Sequence, residues 1–187
     1  MFDVIKKDLP NFPDEIIMDW LEPFAKVIGW PPDMISTRWG LILAGRPIEF
    51  WRTLKWEKKK INLLEIELSV DSSNIRNQLF AAYVSGIENP YSKIENGQAR
   101  FLNAFRYLTE HGLFPKPIVL LKTRSTHDVI DGNHRFLAWH AHKQFYDGMN
   151  KIPKQEAQEL KNKLRDRWGL QDLVQPVNEQ EVWCACL

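Results

Sequence analysis

The sequence predicts an α+β fold in which a small mixed sheet is flanked by helices and preceded by a helical segment rich in tryptophan. Two apolar runs, residues 117–122 and 126–131, are separated only by Thr123-Arg124-Ser125, a spacing typical of a β-hairpin. The segments on either side, 98–111 and 133–146, repeat apolar residues at steps of three and four, which predicts helices. With 187 residues, the chain is long enough to bury a substantial core.

The first 60 residues are predicted to form several short helices. Apolar residues at helical steps follow Asp14, and Gly29-Trp30-Pro31-Pro32 ends that pattern. Further helices are expected over 33–44 and 47–54, the second of them starting at a proline, which suits a first helical turn. We therefore treat residues 1–60 as an N-terminal Trp-rich helical segment.

The N-terminal segment is rich in tryptophan. We expect the tryptophan rings to build a core, because short helices bury the most apolar area through large aromatic side chains. Two other interpretations are open. The rings could form a protein-docking patch, or they could stack on the bases of single-stranded nucleic acid with help from nearby arginines. The tryptophans are Trp20, Trp30, Trp39, Trp51 and Trp56, and the arginines are Arg38, Arg46 and Arg52.

A second domain is expected over residues 61–187, after a charged connection formed by residues 56–60. Within 61–70, Leu, Ile and Val alternate with polar residues, which is the pattern of a half-buried strand. A helix capped near Asp71 should follow, and it should end at Gly86.

The C-terminal part of the second domain is predicted to add one helix and one strand. Residues 153–168 have the alternating charges of a solvated helix, and residues 181–187 are short and apolar, which suits a closing strand. Two histidines follow the strand-turn-helix region. We expect His140 to be packed and His142 to be solvated.

The composition limits the partners and the cellular location that we expect for this protein. Lys plus Arg number 25 and Asp plus Glu number 24, so the net charge of +1 makes no general electrostatic case for nucleic acid or a membrane surface. No apolar run approaches the ~20 residues needed to span a bilayer. The N-terminus also lacks the charge and apolar order of a signal peptide. We expect a cytoplasmic protein with no membrane partner.

The densest group of chemical side chains is Asp131-Gly132-Asn133-His134-Arg135, between an apolar strand and a helix. Gly132 can adopt a turn conformation that other residues resist, and Asn133 is a candidate N-cap. Free amides at a helix start favour an anion. Arg135 can fork onto two phosphate oxygens, and His134 can donate to phosphate or act as a general acid or base. The segment therefore predicts a phosphate site.

The same five residues, with the strand before and Phe136-Leu137-Ala138 after, resemble the signature of the ParB/sulfiredoxin superfamily. Sulfiredoxins carry Gly-Cys-His-Arg at this turn, and ParB proteins carry Gly-Glu-Arg-Arg. The resemblance covers roughly residues 61–145. It implies a ParB/sulfiredoxin-like domain whose turn binds ATP or another NTP with Mg²⁺, with Asp131 as a metal ligand. NTP hydrolysis or phosphoryl transfer is the reaction class that it implies.

Phosphotransfer members of this superfamily also use the loop and helix before the strand pair. The matching region here contains Lys93 and Arg100, which are plausible phosphate partners, and Glu95, which is a possible base. The expected catalytic residues are then Asp131, His134 and Glu95. The alternative for this region is a solvated polar loop without a functional role.

The sequence departs from the family pattern at two points, and each departure argues against one known activity of the family. Asn133 stands where a sulfiredoxin has its reactive cysteine, so we do not expect sulfinic acid reduction. The chain also lacks a Glu-Asn-x-x-Arg box after the turn and an evident helix-turn-helix, so we do not expect a plasmid-partition CTPase.

The leading hypothesis is a protein that binds a nucleotide or another phosphorylated small molecule at Asp131–Arg135. The alternatives are a nucleic-acid-binding or nuclease-like module that uses the Trp and Arg surface, and a non-catalytic interaction protein.

Overall fold

A four-stranded mixed sheet organises the molecule, as the predicted α+β class requires. The computed structural model describes residues 1–33, 37–170 and 173–187. The strands lie in the order β1-β4-β2-β3; β1 pairs antiparallel with β4, β4 parallel with β2, and β2 antiparallel with β3. Their bounds are β1 (Lys55–Asn62), β2 (Ile118–Thr123), β3 (Thr126–Asp131) and β4 (Glu179–Cys186). The predicted hairpin and closing strand are confirmed.

Helices lie on both faces of this sheet. Among the described residues, five short helices lie in the N-terminal segment before β1, and four longer helices follow β1. They are α1 (Phe2–Asp8), α2 (Asp14–Ile16), α3 (Glu22–Ile28), α4 (Thr37–Ile42), α5 (Ile48–Arg52), α6 (Val70–Phe80), α7 (Gly97–His111), α8 (Asn133–Met149) and α9 (Lys154–Trp168). A π-helical segment joins α2 to α3, and the predicted start of the 33–44 helix lies partly in residues 34–36, outside the described residues.

The N-terminal helices cover one face of the sheet. Trp39 and Trp51 are completely buried there and pack in one apolar cluster with Val119, Leu121 and Ala185 of the sheet. Because alternate residues of a strand point to opposite faces, these odd-numbered positions of β2 and β4 all face the same way. The prediction that the tryptophans build a core is confirmed. Trp20, Trp39 and Trp51 are buried and closed to stacking on bases, and Trp30 and Trp56 are partly buried against the same cluster.

The opposite face packs against α7 and α8. Ile118 and Leu120 of β2 contribute to this second cluster, together with Phe101 of α7 and Leu137 of α8. The two clusters share the sheet between them, so each strand of the hairpin contributes to both cores. This arrangement places the start of α8 at the end of β3, beside both groups of helices.

The strand predicted over residues 61–70 is wrong. β1 instead runs from Lys55 to Asn62, so the segment expected to be a charged connection is an edge strand. Asn62 ends it because its side chain accepts a hydrogen bond from the amide of Leu64 and turns the chain into a 3₁₀ turn over Leu63–Glu65. Only Leu68 then bridges a strand, at His127. The domain boundary after residue 60 stays a prediction, and β1 runs across it.

His142 is also not where the sequence placed it. Its side chain is completely buried in α8, beside the ring of Phe105 in α7. The reason is the helix face on which it lies. His142 is four residues after the buried Ala138, so it shares the side of α8 that packs against α7. Among the described residues, no helix is long and apolar enough to cross a membrane.

Candidate functional site

The strand-turn-helix at Asp131–Arg135 forms as predicted, with a different cap. Gly132, not Asn133, is the N-cap of α8, with a φ of 90° in the left-handed region. A side chain at this position would meet Ile118 Cγ2 at 2.6 Å and Arg135 Nε at 2.9 Å, so only glycine fits. No side chain caps the helix, and its first amides are left without helical acceptors.

The three polar residues after Gly132 point in three directions. Successive residues of a helix are about 100° apart, so Asn133, His134 and Arg135 cannot all face one ligand through their side chains. The sequence grouped them because they are adjacent in the chain. In the folded protein only their backbone amides are directed to the same place.

Arg135 turns back toward the strand. Its Nη2 lies 2.6 Å from Oδ2 of Asp131, and the two side chains are 18% and 32% exposed. A void of about 20 Å³ beside the pair is also lined by Trp20 and Trp183, so the guanidinium faces the N-terminal helices. A phosphate would have to compete with Asp131 for this arginine, and a metal would have to compete with Arg135 for this carboxylate.

His134 packs into the core instead of a cleft. Its ring stacks on Tyr83 with 5.7 Å between centroids, and its Nε2 is buried without a hydrogen-bond partner among the described residues. Burial is the main cause that lowers the pKa of His134 to about 4, and the charges of Arg100 and Arg135 contribute to the same shift. The imidazole is neutral at pH 7, and a general acid–base role would require it to be reached by a ligand.

Asn133 is the residue of the turn that lines a much larger cavity. Its Nδ2 donates to the carbonyl oxygen of Val129 at 3.2 Å. The cavity has a volume of about 540 Å³, within the range of small-molecule sites. Its walls come from five places: the segment 40–46, the first turns of α6, Tyr91 in a 3₁₀ turn, the strand β3 and the start of α8.

A hydrogen-bonded network fixes the wall between α6 and β3. Ser69 caps α6 by accepting from the amide of Ser72 at 3.2 Å, and its hydroxyl donates to Asp128. Ser72 Oγ donates to the same carboxylate at 3.4 Å and accepts from the amide of Val129 at 3.0 Å. Asp128 is therefore held in place with one oxygen engaged.

Sequence reasoning missed this wall. Asp71, Ser72, Tyr91 and Asp128 line the cavity, and none of these four was predicted as a site residue. Arg46 also lines it, and the sequence suggested that residue only as a partner for stacked bases. The helix-capping pattern after residue 69 was visible in the sequence. Nothing in the sequence indicated that α6 would begin beside β3, because the two segments are almost 60 residues apart.

The loop residues predicted to assist do not line the cavity. Lys93 is exposed and lies 3.8 Å from the exposed Glu88, and Glu95 is exposed at the surface. Arg100 lies in the first turn of α7, near enough to His134 to lower its pKa. The structure thus brings Arg100 near the turn but leaves Lys93 and Glu95 on a solvated loop.

A metal has few protein ligands available. Within residues 1–33, 37–170 and 173–187, no group of three or more His, Cys, Asp or Glu side chains could hold an ion. Asp131, the predicted ligand, is paired with Arg135. Asp71 and Asp128 are the carboxylates that line the cavity, which suits Mg²⁺ carried mainly by ligand phosphates and water.

Comparison with protein-family models, with curated proteins and with solved structures gave no match to this chain. The resemblance to the ParB/sulfiredoxin superfamily therefore stays a prediction that depends on the residues of the turn.

Proposed function

We propose that this protein binds a phosphorylated small molecule, an NTP with Mg²⁺, in the cavity where α6 and α8 begin. The observation that supports the proposal is the convergence of two helix starts on one cavity of about 540 Å³. Asn133 is the first residue of α8, and Asp71 and Ser72 belong to the first turn of α6. Helix starts attract anions through their free amides and the helix dipole.

The phosphates would lie against the start of α8, where Gly132 leaves the first amides without a side-chain cap. Asn133 would add a donor, and Arg46 would supply a positive charge from the opposite wall. Asp71 and Asp128 carry the opposite sign, and a Mg²⁺ ion on the phosphates would offset their repulsion. This arrangement explains why we expect affinity to depend on Mg²⁺.

The roles of His134 and Arg135 change under this proposal. Both side chains support the turn, His134 through its stack on Tyr83 and Arg135 through Asp131. Neither residue lines the cavity, so Asn133 would make the contact with phosphate at the start of α8. For phosphoryl transfer or hydrolysis, Asp71 and Asp128 are the carboxylates of the cavity, and Asp128 is the better candidate for a general base because Ser69 and Ser72 fix its position.

The test is thermal unfolding against ATP, CTP, GTP and ADP, each with and without Mg²⁺. A ligand at 100 times its dissociation constant adds ~2.7 kcal/mol of stability. We expect one nucleotide to raise the melting temperature by several degrees, and to do so more with Mg²⁺. Absence of a shift with every nucleotide at millimolar concentration would remove the proposal.

Two variants locate the site. Asn74→Trp fills the cavity, because Asn74 is an exposed residue of its wall. Gln78→Trp is the matched control, since Gln78 is exposed one turn later on α6 and does not line the cavity. The nucleotide-dependent shift should vanish in the first variant and persist in the second. Equal shifts in both would place the nucleotide elsewhere.

A charge variant tests the start of α8 separately. Asn133→Asp adds a carboxylate that the helix dipole favours, although it removes the hydrogen bond from Nδ2 to Val129. Asn133→Ala removes the same hydrogen bond without adding charge and is the matched control. The added charge should weaken binding of the Mg²⁺-free nucleotide at least tenfold by isothermal titration. Phosphate release from the bound nucleotide, measured on the same samples, would distinguish a hydrolase from a binding protein.

A further inference from the structure

The hairpin end of the sheet carries a second groove, separate from the proposed nucleotide cavity. It has a volume of about 500 Å³ and lies between the segment before α5 and the turn that joins β2 to β3. Arg46 is the one residue that lines both the groove and the cavity. The function proposed above makes no use of the other lining residues.

The charged side chains that line the groove are basic, and they lie beside three apolar ones. Arg46, Lys122 and Arg124 are exposed, and no Asp or Glu among the described residues lines the groove. None of the three forms an ion pair with another described residue, whereas many surface lysines and arginines of this chain do. Thr123, Ser125 and Thr126 add hydroxyl groups between the charges. Such a lining favours an anionic ligand with several oxygen acceptors.

The basic side chains form a row along the hairpin end of the sheet and do not surround a single point. Lys55 pairs with Cys186, and Leu121 pairs with Ala185, so Lys122 lies level with Lys55 across β4. Neighbouring strands are about 4.8 Å apart, which separates the two lysine backbones by about 10 Å. Lys55 is also exposed and forms no ion pair with a described residue. A row of this length suits a ligand with repeated phosphates.

We propose that this end of the sheet binds the phosphate backbone of single-stranded nucleic acid. Arg46, Lys122 and Arg124 contact successive phosphates, and the hydroxyls of the hairpin turn supply further donors. The guanidinium of Arg46 is already held 4.8 Å above the ring of Phe50, which limits the side-chain freedom lost on binding.

The experiment measures fluorescence anisotropy of a labelled oligothymidylate of about 20 nucleotides with the full chain. Three phosphate contacts give a log–log salt slope of about −2 for a single strand. Affinity should therefore fall about 20-fold between 50 mM and 200 mM NaCl. An affinity independent of salt, or no binding at 20 mM NaCl, would overturn the proposal.

Two variants remove charge from the groove and leave the nucleotide cavity intact. Lys122→Gln changes an exposed side chain. Arg124→Asn suits the fold because Arg124 has a φ of 55°, a conformation that asparagine adopts more readily than most residues. Each should weaken oligonucleotide binding about fivefold and lower the salt slope by about 0.7. Unchanged binding in both would overturn the proposal.

Lys161→Gln on α9 is the matched control, since Lys161 is exposed and does not line the groove. It should bind the oligonucleotide within twofold of the wild type. Millimolar ATP competes for Arg46 alone, so it should weaken oligonucleotide binding by no more than about fivefold. Complete displacement would mean that the groove takes a small phosphate ligand and not a polymer. Asn74→Trp should retain oligonucleotide binding, so the two proposals can fail independently.

Discussion

The guanidinium of Arg135 lies 2.6 Å from the carboxylate of Asp131, four residues earlier and on the other side of the Gly132 turn. The arginine side chain therefore closes over the turn that begins α8. Its Nε and Nη2 would both be 2.9 Å from a Cβ at Gly132. The pair stabilises the turn that presents the amides of α8.

We predict that Arg135→Ala lowers the free energy of unfolding by about 1–3 kcal/mol, because it leaves a partly buried carboxylate without its partner. Urea unfolding measures the loss. Arg76→Ala is the control, since Arg76 bonds only to the side chain of Asn77 next to it, and it should cost under about 0.5 kcal/mol. Equal losses in the two variants would contradict a structural role for Arg135.

Gly132→Ala should destabilise the protein by about 1–3 kcal/mol. The substitution combines a positive φ with a Cβ that meets Ile118 at 2.6 Å. Gly148→Ala in the same helix is a matched control, because a Cβ there has no atom within 4 Å. It should stabilise the helix by up to about 1 kcal/mol. Thermal unfolding of both variants measures these changes. A Gly132→Ala variant with the melting temperature of the wild type would refute the cap geometry.

Stability should fall as the pH drops from about 6.5 to 4. Burial lowers the pKa of His134 and of His142 to about 4, whereas an unfolded imidazole takes up its proton near 6.5. The unfolded state then binds more protons in this interval, so acid favours unfolding. The loss of stability begins as the pH falls below about 6.5, and it reaches its full size near pH 4.

His142→Leu tests this dependence. Between pH 7 and pH 5, the wild type should lose up to ~2 kcal/mol through His142 alone, and the variant should lose correspondingly less. Urea unfolding at several pH values measures the difference. Replacement of the exposed His111 by Leu should leave the wild-type profile in place. A His142→Leu profile parallel to the wild type would mean that the buried ring does not titrate as argued.

A fragment of residues 61–187 should not fold as a soluble monomer. It loses most of β1, so the edge of β4 is unpaired, and it exposes Val119, Leu121 and Ala185 on the sheet face that the N-terminal helices cover. Size-exclusion chromatography and circular dichroism should report aggregation or loss of cooperative unfolding. Co-expression with residues 1–60 should restore solubility. A monomeric fragment with a cooperative transition would support the boundary predicted after residue 60.

Local sequence patterns were enough to predict much of the fold. The hairpin, α7 and α9 were predictable because their period, stop residues and short turn are written in consecutive residues. The prediction of a strand over 61–70 failed for the opposite reason. Its alternating pattern was real, but β4 pairs with the more charged residues 55–62, and that choice depends on a segment more than 100 residues away.

The candidate site likewise has one part that the sequence predicts and another that depends on tertiary packing. The sequence by itself determined the turn, since Gly132 and the apolar segments around it specify a strand, a left-handed residue and a helix start. Only the tertiary structure decided where the neighbouring side chains go. Helical geometry separated His134 from Arg135, and packing of α6 against β3 brought Asp71 and Asp128 to one cavity. Directions within a helix and contacts across 60 residues are set by packing, which adjacency in the sequence does not report.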